Sequence, residues 1–334
     1  MTTNKQGNVK QSKGRAPQNI KSNVRSEGES TTKTTKTRYI DMIKKPMEGG
    51  HPDFQKRASE KTGEIMEIAE KTVITAYPTT PVKDVAELME KHDFRRIPIT
   101  DPGTGRLEGM AVAIDILDFF GGGEKYNIIK DEYNKNFLAA INCPIRRIMF
   151  QNYSVLDKKA SIDDCVDIIL NKHHSAIPII DGNANNKVIA IVTERDVLPK
   201  SGKLGHLVGE VMHRDIITSS KGMMISDVLK VMVRSRKRRL PVVENDRLVG
   251  IITVFDVLRF IGKSKFKGTD IEEILSERVE NIMAKDIKSV SPKQDVADVL
   301  KLVDETGLGG FPVVENNELL GIVTVSDIIK VSYA

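Results

Sequence analysis

The chain has 334 residues, with 51 Lys and Arg against 46 Asp and Glu, and its formal charge of +5 is compatible with a nucleic acid or an acidic membrane as partner. The length allows about two domains with cores of their own and excludes a small disulfide scaffold. Two distant cysteines, Cys143 and Cys165, indicate a reducing compartment, and no stretch of 18 residues lacks a charge. We therefore expect a cytoplasmic protein without a membrane-spanning segment.

The positive charge is concentrated at the start of the chain. Residues 1–38 hold nine basic and two acidic side chains, a local balance of +7, which leaves −2 for the remainder. Few aliphatic residues occur there, so burial cannot offset the entropy of ordering, and we predict that residues 1–62 form a basic, largely disordered tail with a short connector. A nucleic-acid-associated regulator that binds phosphates through this tail is the alternative function.

Four segments of the remaining chain share one plan. Each opens with an apolar residue and Met, continues to an apolar strand containing Pro, and ends at an Asp that begins a short apolar helix. The landmarks are Met66, Pro98 and Asp115; Met149, Pro178 and Asp196; Met212, Pro241 and Asp256; Met283, Pro312 and Asp327. From Met to Pro the spacings are 32, 29, 29 and 29 residues, and from Pro to Asp they are 17, 18, 15 and 15. This agreement indicates internal repeats, bounded at 63–122, 123–200 with a linker, 205–262 and 276–334, and numbered 1 to 4 below.

The local pattern of repeat 4 predicts the fold of one unit. A short strand ends at Pro292, a helix follows with apolar residues on one face, and two strands then flank a hairpin at residues 315–317 before a last helix. Each repeat is therefore predicted as β-α-β-β-α, which makes the fold class α/β (α+β). Because two short helices cannot cover a lone three-stranded sheet, we expect repeat 1 to pair with repeat 2 and repeat 3 with repeat 4.

These features resemble a known family. The Met prelude, the x-Pro-Val-Val strand, the hairpin and the sequence G-I-[IV]-T-x-x-D-[IV] are similar to the cystathionine β-synthase (CBS) domain over nearly all of residues 63–334. Repeat 1 departs from the pattern, because Val112 stands where the other repeats have Thr. Four repeats on one chain, paired into two Bateman modules, resemble the γ subunit of AMP-activated protein kinase and archaeal stand-alone CBS proteins. The resemblance implies adenosyl ligands bound between paired repeats, and it does not imply an enzyme.

The T-x-x-D sequence at the strand-to-helix junction has two interpretations. Thr at the N-cap with an acid three residues later is a capping box that any helix can use. A carboxylate beside the free N–H groups of a helix start can also accept ribose hydroxyls, as the resemblance implies. The candidate ribose residues are Thr193 with Asp196, Thr253 with Asp256, and Thr324 with Asp327. Asp115 lacks the Thr, so its site is expected to be weak, altered or empty.

The residues before each strand proline are the second candidate set. They are Arg95 and Arg96 in repeat 1, His174 in repeat 2, Arg238 and Arg239 in repeat 3, and Gly309 and Gly310 in repeat 4. Basic residues there could form a solvated edge that discourages sheet pairing, or bind phosphate, as the resemblance implies. Because side chains alternate along a strand, we expect at most one of two adjacent arginines to enter a given cleft. The site of repeat 4 either uses cations from its partner repeat or prefers a ligand with an uncharged tail. S-adenosylmethionine or methylthioadenosine would suit the second alternative.

The remaining expectations concern the adenine, catalysis and partners. By analogy with the family, the adenine is expected against the first strands, at Thr75, Val155, Thr218 and Ser289. No combination of nucleophile and base and no metal-ligand spacing is evident, so we predict no catalytic residue and no metal, and leave a need for Mg²⁺ open. We expect AMP, ADP, ATP or S-adenosylmethionine as ligand, a protein target not yet identified, and a homodimer.

Overall fold

The computed structural model describes residues 63–182, 185–199, 204–262 and 268–333, and the tail predicted for residues 1–62 lies outside them. The helices are α1 Ile65–Ile68, α2 Val82–His92, α3 Ala113–Leu117, α4 Tyr126–Tyr133, α5 Phe137–Ile141, α6 Ile162–Lys172, α7 Val208–Val211, α8 Ile225–Ser235, α9 Val254–Gly262, α10 Ile271–Ile274, α11 Val279–Ile282, α12 Val296–Thr306 and α13 Val325–Ser332. The strands are β1 Arg96–Thr100, β2 Leu107–Val112, β3 Leu156–Asp157, β4 Ala176–Ile180, β5 Val188–Thr193, β6 Ser219–Ser220, β7 Arg239–Glu244, β8 Arg247–Thr253, β9 Gly310–Glu315 and β10 Glu318–Thr324. A π-helical turn, Asp118–Gly122, extends α3, and a 3₁₀ turn covers Ile145–Arg147. None of the described helices is long and apolar enough to cross a bilayer.

The predicted repeat unit is confirmed, with a very short first strand. In repeats 2 and 3 that strand has two residues and pairs in parallel with the proline strand, β4 or β7. In repeats 1 and 4 it is a single parallel bridge, from Ala76 to Ile99 and from Val290 to Val313. The two longer strands of every repeat form an antiparallel hairpin. The hairpins of repeats 3 and 4 join through β8 and β10 into one five-stranded sheet, in the order β6-β7-β8-β10-β9, whereas repeats 1 and 2 have sheets of two and three strands.

Repeat 2 departs from the prediction at its end. Where the other repeats begin α3, α9 and α13, residues 194–198 form only turns. Pro199 explains the difference, because it lacks an N–H to donate and disfavours helical backbone at the residue before it. The T-x-x-D segment of repeat 2 is therefore not followed by a helix.

The predicted pairing of repeats is confirmed, and it depends on an exchange of backbone hydrogen bonds. Met110 in β2 exchanges two hydrogen bonds of 2.8 Å with Phe150, which lies at the start of repeat 2, and Ile191 in β5 exchanges two of 2.9 Å with Glu70 of repeat 1. In the same way, repeats 3 and 4 exchange hydrogen bonds between Ile251 and Ala284 and between Ile322 and His213. Each prelude thus completes the edge of its partner's sheet, which forms module 1 from repeats 1 and 2 and module 2 from repeats 3 and 4.

The hydrophobic cores cross between the modules. One core combines residues of repeats 1 and 3 with the linker that follows repeat 1, and a second combines residues of repeats 2 and 4. Helix α2 packs on α9, and the turn Asp118–Gly122 packs on α8. Gly122 is required at this contact, because a Cβ there would lie 3.0 Å from the Leu229 carbonyl oxygen and clash with Val233. Sheet contacts within modules and helix contacts between them place one end of each proline strand near a common centre.

Candidate nucleotide site

The Thr–Asp pairs of repeats 2, 3 and 4 have one geometry. In each, one carboxylate oxygen, Oδ2, accepts hydrogen bonds from both the backbone N–H and the hydroxyl of the Thr. The two donor distances are 2.7 and 2.9 Å at Asp196, 2.8 and 2.6 Å at Asp256, and 2.8 and 2.7 Å at Asp327. The Thr therefore occupies Oδ2 and leaves Oδ1 for a second partner, so that the capping interpretation in repeats 3 and 4 and the ribose interpretation do not exclude each other.

The Oδ1 atoms of the two most buried aspartates have different partners. Asp327, 6% exposed, pairs through Oδ1 with Nε2 of His213 at 2.7 Å. Asp256, 9% exposed, pairs through Oδ1 with Nη1 of Arg259 at the longer distance of 3.4 Å. A ligand hydroxyl must compete with these side chains, and the longer Asp256 contact is the weaker competitor.

The surroundings of the Asp115 and Asp196 carboxylates differ from those of Asp256 and Asp327. Asp115 pairs through Oδ1 with Nζ of Lys125, which lies in the linker after repeat 1, at 2.5 Å. Burial raises the pKa of Asp115, and Lys125 partly counters that increase. Burial also raises the pKa of Asp196, and the like charge of Glu70 adds to this increase. The four sites thus share a carboxylate and differ in what faces its second oxygen.

Two clefts lie beside these pairs. The Thr193 cleft, of about 170 Å³, lies between repeats 1 and 2 and is bounded at one edge by Val325 of repeat 4. The Thr253 cleft, of about 330 Å³, lies between repeats 3 and 4 and includes Glu90, Asp93 and Arg95 of repeat 1. The volume of the Thr253 cleft is at the lower end of the range for small-molecule sites. Each cleft therefore belongs to one module but is completed by the other.

Four arginines, called the arginine cluster below, converge on the clefts: Arg95, Arg96, Arg238 and Arg239. Arg95 and Arg96 line the Thr193 cleft, and Arg95, Arg238 and Arg239 line the Thr253 cleft. Both members of each pair line a cleft, but their guanidinium groups have different partners: those of Arg96 and Arg238 contact Ser175, and those of Arg95 and Arg239 lie beside Gly309. The expectation that at most one of two adjacent arginines enters a given cleft stays a prediction.

The cluster is a region of concentrated positive charge. Burial lowers the pKa of Arg95 to about 9, with further lowering by Arg238 and Arg239. Burial likewise lowers the pKa of Arg239 to about 10, with Arg238 as the next cause. Half-buried guanidinium groups that lie close together are stabilised by an anion, and a planar fork of donors suits phosphate oxygens.

Sequence reasoning missed two residues at the cluster, Glu194 and Ser175. The Ser175 hydroxyl accepts hydrogen bonds from Arg96 and, at 3.1 Å, from Nη1 of Arg238. Glu194 is 6% exposed, and its Oε1 lies 3.7 Å from Nη2 of Arg238. Burial alone would raise the pKa of Glu194, but Arg238 and Arg95 outweigh burial and hold the pKa below its usual value. The available signal was an acid at the residue after Thr193, where the other repeats have Ala or Val.

The glycines of repeat 4 are close to arginines of other repeats. A Cβ at Gly309 would lie 3.4 Å from Nη2 of Arg239 and 3.5 Å from Nη1 of Arg95, and a Cβ at Gly310 would clash with Nη1 of Arg239. Glycine here leaves space for cations from repeats 3 and 1. Of the two alternatives for repeat 4, the geometry favours borrowed cations.

The remaining predicted residues lie outside the two clefts. His174 stacks on Tyr153 with ring centroids 3.9 Å apart, and burial together with Arg96 lowers its pKa. Thr75 and Thr218 are half-buried, whereas Val155 and Ser289 are exposed. The cleft walls are formed instead by residues one or two positions earlier in the first and fourth repeats, Ile74 and Ile287. The assignment of adenine and phosphate contacts to the predicted residues stays a prediction.

The described part of the chain contains no cluster of three or more His, Cys, Asp or Glu that could hold a metal ion. Cys143 and Cys165 are both buried free thiols. Burial raises the pKa of Cys165 to about 12 and also raises that of Cys143, so both are protonated near neutral pH.

Comparison with known proteins agrees with the repeat structure. The CBS domain matches residues 65–122, 145–201, 208–263 and 279–334. The chain is 35% identical over 276 residues to the protein MJ1225 of Methanocaldococcus jannaschii, covering 80% of this chain and 98% of that one. The crystal structure of MJ1225, described as a proposed archaeal homologue of γ-AMPK, matches with a TM-score of 0.75.

Two further similar proteins match little more than a third of the chain. Inosine-5′-monophosphate dehydrogenase of M. jannaschii is 35% identical over 125 residues, which are 36% of this chain and 22% of that enzyme. The CBS domain pair of the protein MJ0100, solved with 5′-methylthioadenosine and S-adenosyl-L-methionine, is 27% identical, with a TM-score of 0.31 and coverage of 37% of this chain and 93% of that one. With four matched repeats and a four-repeat relative of nearly equal extent, this chain belongs to the CBS domain family.

Proposed function

We propose that this protein is a non-catalytic regulatory sensor that binds an adenosyl ligand in the clefts between paired CBS repeats. The single observation that supports this most strongly is the arginine cluster, which adjoins one cleft lined by the pair Thr253 and Asp256 and a second cleft lined by Thr193. A ribose hydroxyl on a carboxylate Oδ1 and a phosphate on guanidinium groups satisfy both features with one ligand. The cluster favours a phosphorylated ligand, AMP, ADP or ATP, over S-adenosylmethionine or methylthioadenosine.

The proposed residue roles follow from the geometry. Ribose binding is assigned to Asp256, which lines the Thr253 cleft. It is also assigned to Asp196, whose partner Thr193 lines the other cleft, and in a third site to Asp327 after displacement of His213. Phosphate binding is assigned to the arginine cluster. The adenine is assigned to the apolar walls of the clefts. Asp115 contributes least, because Lys125 already occupies its second oxygen.

The clefts also suggest how occupancy is transmitted. The Thr253 cleft belongs to module 2 but includes Arg95 of module 1, so a phosphate bound there contacts both modules. A ligand shifts a conformational equilibrium only if it binds the two states differently. A ligand that bridges the modules has this property, since any change in their relative position changes its contacts. That a partner protein or a second copy of the chain responds to ligand occupancy stays a prediction.

Thermal unfolding with a panel of AMP, ADP, ATP, S-adenosylmethionine and methylthioadenosine tests the proposal. A ligand at 100 times its dissociation constant stabilises the folded state by about 2.7 kcal/mol, which raises the midpoint by several degrees. If no member of the panel moves the midpoint, the sensor proposal is refuted. The alternative function, nucleic-acid binding through residues 1–38, concerns residues outside the described ranges and stays a prediction; gel shifts with and without those residues distinguish it.

A further inference from the structure

Glu194 occupies a position that the other repeats fill with small apolar residues. The residue after the strand end is Ala113 in repeat 1, Val254 in repeat 3 and Val325 in repeat 4, and each is at most 2% exposed. Repeat 2 buries a carboxylate in the same register, at 6% exposure. A buried charge is costly unless it is paired, so the surroundings of Glu194 must compensate for its desolvation.

The partners of Glu194 come from all four repeats. Its Oε2 accepts a hydrogen bond of 3.1 Å from the Ser326 hydroxyl of repeat 4, and its Oε1 lies 3.7 Å from Arg238 of repeat 3. The backbone N–H of Glu194 donates a hydrogen bond of 3.1 Å to the carbonyl oxygen of Ser175 in repeat 2, and Arg95 of repeat 1 attracts the carboxylate electrostatically. Glu194 is therefore placed against the arginine cluster where the four repeats meet, and it lines the Thr193 cleft.

We propose that Glu194 is a built-in anion of the arginine cluster and that it biases the clefts towards ligands with few phosphate charges. The inference rests on the proposed function for its ligand class and deepens it. Four guanidinium groups and Glu194 sum to a charge of +3, and the other charged residues that line the Thr193 cleft, Arg195, Glu70 and Asp93, reduce this sum to +2. A monophosphate, with a charge of about −2, is accepted within this balance, whereas a triphosphate, at about −4, exceeds it and is repelled by the carboxylate.

The first experiment measures discrimination between phosphate lengths. Wild type, Glu194→Gln and the control Glu108→Gln are titrated calorimetrically with AMP and with ATP in one magnesium-free buffer. Glu108 is a matched control, because it forms an ion pair with Arg106 and lines neither cleft. In Glu194→Gln we expect the preference for AMP over ATP to shift about tenfold towards ATP, with no shift in the control. A ratio that stays within twofold of wild type overturns the proposal.

The second experiment does not depend on the nucleoside. Sodium tripolyphosphate is added to wild type and Glu194→Gln, and the midpoint of thermal unfolding is measured. The variant is expected to gain more than wild type, because an added anion replaces the missing carboxylate. If Glu194→Gln is unfolded in dilute buffer and folds when tripolyphosphate is added, the proposed role of Glu194 is supported. If the variant stays unfolded with tripolyphosphate, that role is contradicted.

The two experiments separate failure of this inference from failure of the proposed function. If nucleotides do not bind but tripolyphosphate stabilises the variant more than wild type, the adenosyl-sensor proposal fails and the role of Glu194 stands. If nucleotides bind with an unchanged ratio and tripolyphosphate acts equally on both proteins, Glu194 has only a structural role and the sensor proposal stands.

Discussion

Substitution of Asp256 by Ala separates the capping role of this carboxylate from its proposed ribose role. Oδ2 of Asp256 accepts hydrogen bonds from the N–H and the hydroxyl of Thr253, at 2.8 and 2.6 Å, at the start of α9. Oδ1 faces Arg259 at 3.4 Å and is the oxygen assigned to the ribose. Asp256→Ala removes both oxygens. Thr253→Ala removes the hydroxyl that donates to Oδ2 and accepts from the Asp256 N–H, and it leaves Oδ1 in place.

The two roles have different magnitudes. Loss of a helix cap costs about 1 kcal/mol of stability, and we expect this cost in both variants. Hydrogen bonds to a charged group contribute about 1.5–3 kcal/mol each, so loss of two ribose hydrogen bonds weakens binding by about 3 kcal/mol, or about a hundredfold. The long contact with Arg259 subtracts little from this value, because a hydrogen bond at 3.4 Å is weak.

The assay is calorimetric titration with AMP, combined with urea unfolding of each variant. We expect Asp256→Ala to lose one strong binding equivalent, while Thr253→Ala keeps it with less than about fivefold weakening. Equal weakening by the two variants would show that the cap, and not Oδ1, controls binding. An unchanged affinity of folded Asp256→Ala would refute the ribose assignment.

Three further predictions concern the same sites. Lys125→Ala removes the cation paired with Asp115, and we expect an additional AMP equivalent in calorimetric titration; unchanged stoichiometry would contradict closure of that site by Lys125. Because the folded-state pKa of Glu194 lies below its usual 4.5, its carboxylate stabilises the folded protein above pH 4.5, and this contribution is lost as the pH falls through the folded-state pKa. The difference in unfolding midpoint between wild type and Glu194→Gln should therefore shrink on acidification below about pH 4.5, and a difference independent of pH would count against ionic pairing. Gly310→Ala should destabilise the protein by about 1–3 kcal/mol in urea unfolding, because its methyl group would lie 3.0 Å from the Val323 carbonyl oxygen and 3.0 Å from Cγ2 of Thr324; an unchanged midpoint would show that the strand pair adjusts without cost.

The features that could be predicted from the sequence are local or repeated. The hairpins follow from strand alternation around short polar turns, and the capping boxes follow from a fixed spacing of three residues between Thr and Asp. Pairing within modules could be predicted because a small sheet with an uncovered face and edge needs a partner. One local prediction was wrong: the final helix of repeat 2 is replaced by turns before Pro199, a residue whose effect outweighs the similarity to the other repeats.

Contacts between modules could not be predicted in this way. The apolar faces of the helices are alike in all four repeats, so periodicity does not specify that repeat 1 packs on repeat 3 and repeat 2 on repeat 4. Arg95 and Arg239 are 144 residues apart in the chain, yet both lie against Gly309. The placement of Lys125 on Asp115 likewise depends on the path of a linker, for which spacing provides no rule.

By itself, the sequence determined the number of repeats, the fold of each unit and the Thr–Asp pairs, because these depend on short-range spacing and on burial within one unit. Where the charges meet depends on the tertiary structure. Packing of one module on the other places four arginines and Glu194 near a common centre. The ligand preference proposed for this protein rests on that assembly, because the balance of charge in the cluster depends on distances in space and not on separation along the chain.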